Sequence, residues 1–474
     1  MKVRVQMVVV NDEELPGETL ELAVLERAAL TAANLGMSLD EGKVILKAIQ
    51  EILVKEQITA HLRQQRPCPQ CARNRDSKGS HPITLKSVFG AIAVASPRFH
   101  SCPCQEAATK TFSPLADLLP EHTLPELLFL ETKWAALMSY GLTTNLLKDV
   151  LPIDESLQAV TVRNHLLKVA ERAEQSLGEE QPLLFFEGNP RDWENLPAPD
   201  GPLSVGIDGG YLRQRGKQGC FEVIAGKSIS SFARKDQTAE KTSKCFAFVQ
   251  TYDEKPRRRL FEFLQSQGLQ ANQQVTFLSD GAENLRDLQL AMSPEAEHIL
   301  DWFHVSMRFT VLRQMSLGLP EITVGNDGDK FELRAPMQKH LERLKWFLWH
   351  GNLFQAFEVL DEATDELELA LEERPGEKLR KFARTFEELK IYIRRNRGCI
   401  PNYGERHGQG ERISTGFVES AVNQVISKRM SKKQQMQWNQ RGAHLLLQVR
   451  TRVLNEEWET QFRTWYPGFR TRAA

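Results

Sequence analysis

Apolar residues recur at steps of three and four along "LELAVLERAALTAANLGMSLDEGKVILKAIQEILVKEQITAHLRQQ", and this spacing predicts helix from residue 18 to 65, within an N-terminal helical region spanning 1–65. The period shortens in "RPCPQCARNRDSKGSHPITLKSVFGAIAVASPRFHSCPC", where an alternating, hairpin-like stretch lies between two cysteine pairs. Helical spacing returns from 123 to 178. "TTNLLKDVLPI", the turn region "DESLQAV" and "TVRNHLLKVAERAEQSL" together have the cadence of a helix-turn-helix within 111–186. Thr161 is placed to cap the second helix, and Val162, Leu166, Val169 or Ala170, and Ala173 form its buried stripe. That pattern leaves Arg163, Asn164, Lys168 and Arg172 facing solvent, as a DNA-reading surface or as the polar face of an ordinary helical hairpin.

A Pro-, Gly- and acid-rich linker at 187–202 separates these elements from a different pattern. "LSVGIDGGYLR", "CFEVIAGKSIS" and "KCFAFVQTY" are strand-like runs. They are followed by a helix "PRRRLFEFLQSQGL", a strand "QVTFLSD", a helix "AENLRDLQLAM" and a strand "EHILDWF". Arg257, Arg258 and Arg259 read as a solvated helix start, with phosphate contact as the alternative. Three adjacent strands followed by alternating helix and strand predict an α/β domain with a mixed sheet of the ribonuclease-H type over 203–474. Residues at about 320–405, acidic in their middle and strongly helical, interrupt it as an all-α insertion. The expected order is therefore a helical region at 1–65, a zinc-ribbon-like segment at 66–110, a helix-turn-helix region at 111–186 and the sheet domain with its insertion.

With 474 residues, 41% apolar and 26% charged, the chain has the composition of a globular protein of roughly three domains. No apolar stretch is long enough to span a bilayer, and "MKVRVQMVVVNDEELPGE" lacks a signal-peptide pattern, so no membrane partner and a cytoplasmic location are expected. The net charge of −1 hides strong segregation. From Ser420 to Asn455 there are Lys428, Arg429, Lys432, Lys433, Arg441, Arg450 and Arg452 and no acid, immediately behind Glu419.

In a reducing compartment the spacing of the seven cysteines carries the meaning. Cys68 and Cys71 form a CxxC pair, and Cys102 and Cys104 a CxC pair. Two such pairs grip one Zn²⁺ tetrahedrally, with His100 as an alternative to one sulfur of the second pair. Asp208 ends the first predicted strand of the sheet and Asp280 the fourth, which is its neighbour. Glu419 lies on a helix behind the "ST" at 414–415, and a helix laid across that sheet edge aims it at the same point. Bare carboxylates at one point repel, whereas a hard divalent cation makes them compatible. Two Mg²⁺ (or Mn²⁺) ions held there would serve phosphodiester chemistry, and the cations behind Glu419 would hold the phosphates of the strand.

The strings "IDGGYLR", "FEVIAGKS", "FLSDGAENLRDL", "HILDWFHVSMRFTVL", "LKWFLWHGN" and "STGFVESAVNQVISKRMSKKQQMQW…RGAHLLLQVRTRVL" resemble the DDE transposases of bacterial insertion sequences, specifically the ISKra group. The resemblance extends from about residue 120 to "WYPGF". It implies a ribonuclease-H-like core with a helical insertion before the last acid, and a triad at Asp208, Asp280 and Glu419. "DWFH" at 301–304 is similar to the DxxH signature of Mutator-like transposases, which makes Asp301 a competitor of Asp280 as metal ligand. His304 would touch DNA, brace the active-site edge or serve as a structural histidine. Trp438 would stack on an unpaired base or belong to the core.

The expected activity is a bacterial, nucleoid-associated transposase, acting as a homodimer or larger assembly on double-stranded DNA. It would bind terminal inverted repeats, cleave at the element end and join the freed 3′-hydroxyl to target DNA. Two alternatives stand beside it: a nuclease of the same fold without strand transfer, and a catalytically silent zinc and helix-turn-helix regulator. The first 65 residues are expected to be scaffold or dimer surface.

Overall fold

A computed structural model describes residues 1–10, 16–29, 31–105, 109–180, 197, 203–216, 218–229, 243–292, 296–320, 322–324, 330–373, 376–431 and 436–471. The linker expected at 187–202 lies, Pro197 apart, outside them. It is a mixed α/β chain that resolves into two compact units, Met1–Arg172 with Glu456–Ala474, and Ala173–Asn455.

The first unit opens with an antiparallel hairpin, β1 (Lys2–Val10) and β2 (Pro16–Glu26), where helix was expected from residue 18. The valine-rich run Val3–Val10 supplies a partner strand. "TLELAVLE" then reads with period two, Leu20 and Leu22 half-buried and Thr19 and Glu21 exposed, so cross-strand pairing overrides its helical spacing. Helix begins at α1 (Leu39–Gln65), where Ser38 Oγ accepts from Glu41 N (3.2 Å) and Glu41 accepts in return from Ser38 N (2.9 Å). Next comes a three-stranded antiparallel sheet, β3 (Ser77–Ser87), β4 (Gly90–His100) and β5 (Thr111–Phe112). Its Leu85, Ile92 and Val94 pack with Val54 and Ile58 of α1.

Helices α2 (Pro125–Leu137), α3 (Tyr140–Val150) and α4 (Ala159–Gln175) follow. In α4 the expected stripe of Val162, Leu166, Val169, Ala170 and Ala173 is fully buried. The helix starts before Thr161, which sits in its first turn rather than capping it. Arg172 is paired with Glu121, donates to Tyr466 Oη (3.0 Å) and lies over the Trp465 ring, so it does not face solvent. The last segment, from Glu456, was expected in the sheet domain but belongs to the first unit. Its helix Trp458–Trp465 places Phe462 edge-on to Phe129 (5.2 Å), and Trp458 Nε1 donates to Thr132 Oγ1 (3.2 Å). Each aromatic ring buried there contributes about 2–3 kcal/mol.

The second unit is built on a five-stranded mixed sheet in the order β10-β9-β6-β7-β8, from β6 (Leu203–Arg213), β7 (Cys220–Ile229), β8 (Cys245–Val249), β9 (Val275–Ser279) and β10 (Glu297–Leu300). β6, β7 and β8 are antiparallel neighbours, whereas β9 runs parallel to both β6 and β10. Val205, Ile207, Ile224, Phe248 and Phe277 form a core with Leu260 and Leu264 of α5 (Pro256–Ser266) and Leu288 of α6 (Glu283–Met292). A second core joins Leu278, Ile299 and Leu300 to α7 (Trp302–Ser316), α8 (Arg334–Trp349), α9 (Leu353–Glu373) and α10 (Glu377–Arg395). The expected insertion is not all-α, since Ile322–Val324 and Lys330–Glu332 pair as a short antiparallel hairpin near its start; the rest of it is helical and shares one apolar interior with the β9–β10 side of the sheet. A short helix α11 (Tyr403–Gly408) precedes α12 (Gly416–Val422), which carries Glu419 and runs directly into a π-helical segment, Asn423–Ser431. Helix α13 (Gln440–Leu454) follows.

Candidate functional site

Strand register brings the two aspartates together. β6 and β9 pair in parallel from Leu203 with Val275 to Gly206 with Leu278, and two further residues along each chain stand Asp208 and Asp280. Asp208 Oδ1 accepts from Gly209 N (2.8 Å), and Asp280 Oδ1 accepts from Ala282 N (3.0 Å) across a turn in which Gly281 takes φ +83°. The "DGG" string has a packing reason at its last residue. A Cβ on Gly210 would stand 2.8 Å from Ile426 Cδ1 and 3.3 Å from Val422 Cγ1, so only glycine lets the helix bearing Glu419 lie across β6.

Burial raises the Asp208 pKa above the ordinary carboxylate range, and the charges of Asp280 and Glu419 add to the rise, against the Gly209 N–H and His304. All three expected acids therefore share one electrostatic neighbourhood. Their oxygens do not all fall within 4.8 Å of one another, unlike two other groups among the described residues, so closing the set around one ion takes side-chain movement.

Asp301 has a different part. It is fully buried. Its Oδ1 accepts from Phe303 N (2.9 Å) and Thr415 N (2.9 Å), and its Oδ2 accepts from the Thr415 hydroxyl and pairs with His304 Nδ1 (2.6 Å). Burial alone would raise its pKa, but these four bonds hold it below the usual range. With its acceptor positions taken, Asp301 braces this edge. It caps α7, orients His304 and fixes Thr415 at the start of α12. The expected "ST" cap at 414–415 is thereby redirected, since Thr415 makes no side-chain cap of its own helix. The hydrogen bond to Asp301 raises His304 first, and the charges of Asp208 and Asp280 raise it further, so its imidazole belongs to the same edge.

Glu222 was missed by sequence reasoning. It pairs in register with Tyr211 on the neighbouring strand and leans over Gly209, where a Cβ would lie 2.7 Å from Glu222 Oε1. Burial raises its pKa, followed by Asp280 and Asp208, which makes it a fourth carboxylate of this edge. The available signal was a charged residue on a central strand, next to the positions that pair with the glycines of the neighbouring strand.

The basic stretch does not form one face. Lys428 and Arg441 are exposed, and Lys432 and Lys433 lie outside the described residues. Arg429 is 5% exposed and lies 5.6 Å from the Trp438 ring centroid. Trp438 itself donates Nε1–H to Met430 O (3.0 Å) and exchanges backbone bonds with Arg213 and Arg215. Arg450, 3% exposed, gives Nε–H to Val425 O (2.7 Å) and Nη2–H to Gln424 O, anchoring the π-helical backbone behind Glu419, and burial lowers its pKa to about 10. In α4, Asn164 and Lys168 are exposed and Arg163 is half-buried, with Lys168 3.4 Å from Glu121.

Four thiols converge in the first unit. Cys68 Sγ lies 3.5 Å from Cys104 Sγ, Cys71 3.4 Å from Cys102, and Cys102 3.3 Å from Cys104. His100 is not in the group. The Cys71 N–H lowers the Cys68 thiol to about 6, while the neighbouring thiols, Cys102 first, raise Cys104. Four sulfurs so placed could hold a metal ion such as zinc.

Glu174, Asp253 and His444 also lie within ligand reach of one another, but a guanidinium already fills their centre. Arg259 donates Nε–H to Asp253 (2.7 Å), Nη1–H and Nη2–H to Glu174 (3.0 and 2.6 Å), and Nη1–H to Gln448 (2.6 Å). It is 6% exposed, contrary to the solvated helix start expected for 257–259. Arg259→Met should destabilise the second unit by about 3–5 kcal/mol in urea denaturation, because two buried carboxylates lose their partner. Burial opposes ionisation of Glu174, yet His444 and Arg259 lower its pKa to about 2. A depressed acid stabilises above its unfolded value of 4.5 and loses that contribution as pH falls toward 2. The cost of Arg259→Met should therefore shrink across that window.

Compared with known proteins, the sequence matches no protein-family model and no curated protein.

Proposed function

We propose that the protein is a DNA transposase of the DDE type, with a ribonuclease-H-like core in which Asp208, Asp280 and Glu419 form the catalytic set. The observation that carries this reading is the strand order β10-β9-β6-β7-β8, one antiparallel meander with two parallel strands added, whose register sets Asp208 beside Asp280 under the helix of Glu419. The likeness of the long strings around these acids to ISKra-group transposases supports it from the sequence side.

The donor set fits hard divalent cations. Asp208, Asp280 and Glu419 offer carboxylate oxygens alone, and their mutual charge already raises Asp208. When bound, Mg²⁺ or Mn²⁺ would supply activation of the attacking hydroxyl and charge neutralisation at the leaving oxygen. The chain's own residues do the positioning. Asp301 fixes α12 through Thr415, Arg450 fixes the π-helical segment behind it, and His304 stands between the brace and the acids. Exposed Lys428 and Arg441 would meet the DNA backbone, and the thiol cluster would hold zinc in a DNA-binding region with α3 and α4.

The test incubates purified protein with labelled DNA from the element's terminal repeats and Mg²⁺. Strand-joined product is the expected result. Cut ends without joining would identify a nuclease of this fold, and a shifted but intact band a silent DNA-binding regulator.

A further inference from the structure

Beside Asp280 lies a cavity of about 710 Å³ that neither the acids nor the basic stretch explains. One wall comes from the turn after β9 and from α6, which contributes Arg286. The other comes from the insertion helix α10 and its end, with Tyr392 and Arg395, and Arg308 of α7 completes the lining. The insertion is locked onto the catalytic turn here. Tyr392 Oη donates to Asp280 O (3.0 Å), and Arg286 Nη2 donates to Asn396 Oδ1 (2.6 Å). A Cβ on Gly281 would collide with that same Asn396 oxygen at 2.4 Å.

Three features point to an anionic ligand carrying a flat group. Arg286 lines the wall with Nη2 held by Asn396, and its buried Nε has no hydrogen-bond partner among the described residues, so this guanidinium is fixed in place by a neutral partner. Arg308 and Arg395 are exposed at the same cavity, and guanidinium forks match phosphate oxygens in pairs. Arg308 also stacks at 4.0 Å over the Tyr392 ring, a flat platform of the kind on which bases lie. The volume sits within the roughly 300–1,000 Å³ of ligand pockets, far more than a lone phosphate fills. Asp280, Glu283 and Glu388 balance the three arginines in number. Both glutamates are exposed and screened by water, as are Arg308 and Arg395, so the donor geometry of the guanidinium forks rather than net charge selects the ligand.

We propose that this cavity binds one nucleotide through its phosphate, with Arg286, Arg308 and Arg395 as the receiving groups and the Arg308–Tyr392 stack as the seat for its base. This deepens the reading above by giving the insertion a role, since it closes a phosphate site against the turn that carries Asp280. The nucleotide would be a unit of a bound DNA strand or a free mononucleotide, and the test separates the two.

The full-length chain and Arg308→Gln/Arg395→Gln are compared by anisotropy with a labelled duplex over a range of salt, and by calorimetry with deoxyadenosine monophosphate. For a strand, the slope of log affinity against log salt should fall by about 1–2 in the variant, close to 0.9 per lost phosphate contact, at an unchanged melting temperature. For a free nucleotide, the slope stays and wild-type binding of the mononucleotide disappears in the variant. Unchanged behaviour in both arms overturns the proposal. If the wild type binds no duplex, the transposase reading fails while the mononucleotide arm still decides the cavity. Arg395→Lys, which keeps the charge and loses the fork, provides the comparison if the double variant melts early.

Discussion

Asp208→Asn should leave DNA binding intact and lower strand cleavage by about a thousandfold or more, the loss of about 4 kcal/mol of transition-state stabilisation. The amide keeps the shape of the side chain, and its oxygen can still accept the Gly209 N–H, so the end of β6 is preserved. What disappears is one negative charge in a place where burial and the charges of Asp280 and Glu419 already oppose it. The variant should therefore melt at or above the wild-type temperature in metal-free buffer, because a repulsion has been removed. Gel shift, cleavage and thermal denaturation on the same preparation check all three statements. A variant that loses binding and cleavage together and melts earlier would make Asp208 a support of the fold instead.

Cys68→Ser/Cys71→Ser should contain about one equivalent less zinc than wild type by elemental analysis, and the segment from Cys68 to Cys104 should exchange its amide hydrogens faster. The four sulfurs come from two loops on either side of the β3–β4 hairpin, which alone do not bury enough apolar surface to hold each other. Structural zinc contributes about 10–16 kcal/mol in small metal-folded peptides, so losing such an ion here would free both loops. The thiols also conflict without an ion: Cys68 is lowered to about 6 by backbone N–H groups, while its neighbours keep Cys104 protonated. A dication resolves that conflict by taking all four as thiolates. Unchanged zinc content in the double variant would remove the metal from this site.

Sequence order alone carried the mixed sheet, because three adjacent strand-like runs followed by two that alternate with helices leave few connections that satisfy them. The cysteine pairs were legible because spacing is the chemistry. The N-terminal hairpin was not, since "TLELAVLE" fits both periods and only the presence of β1 as partner decides between them. The charge run behind Glu419 was visible as composition but not as surface. Whether an arginine faces water depends on the neighbouring helix, and Arg429 and Arg450 turned inward. Asp301 shows the same limit. A carboxylate after a strand reads alike as ligand or brace until its four partners, two of them on a residue 114 positions away, are seen.

The bonds of Asp301 have a consequence for how such a chain can change. Thr415 meets Asp301, and Trp302 N donates to Ile413 O (3.0 Å), so the polypeptide departs from the sheet at residue 302 and comes home at the same spot. What is strung between is fastened at this collar and, through α10 and the shared core, along the β9–β10 side. Lengthening, trimming or swapping its outer helices would alter what the insertion reaches, while the collar holds the last acid at its post.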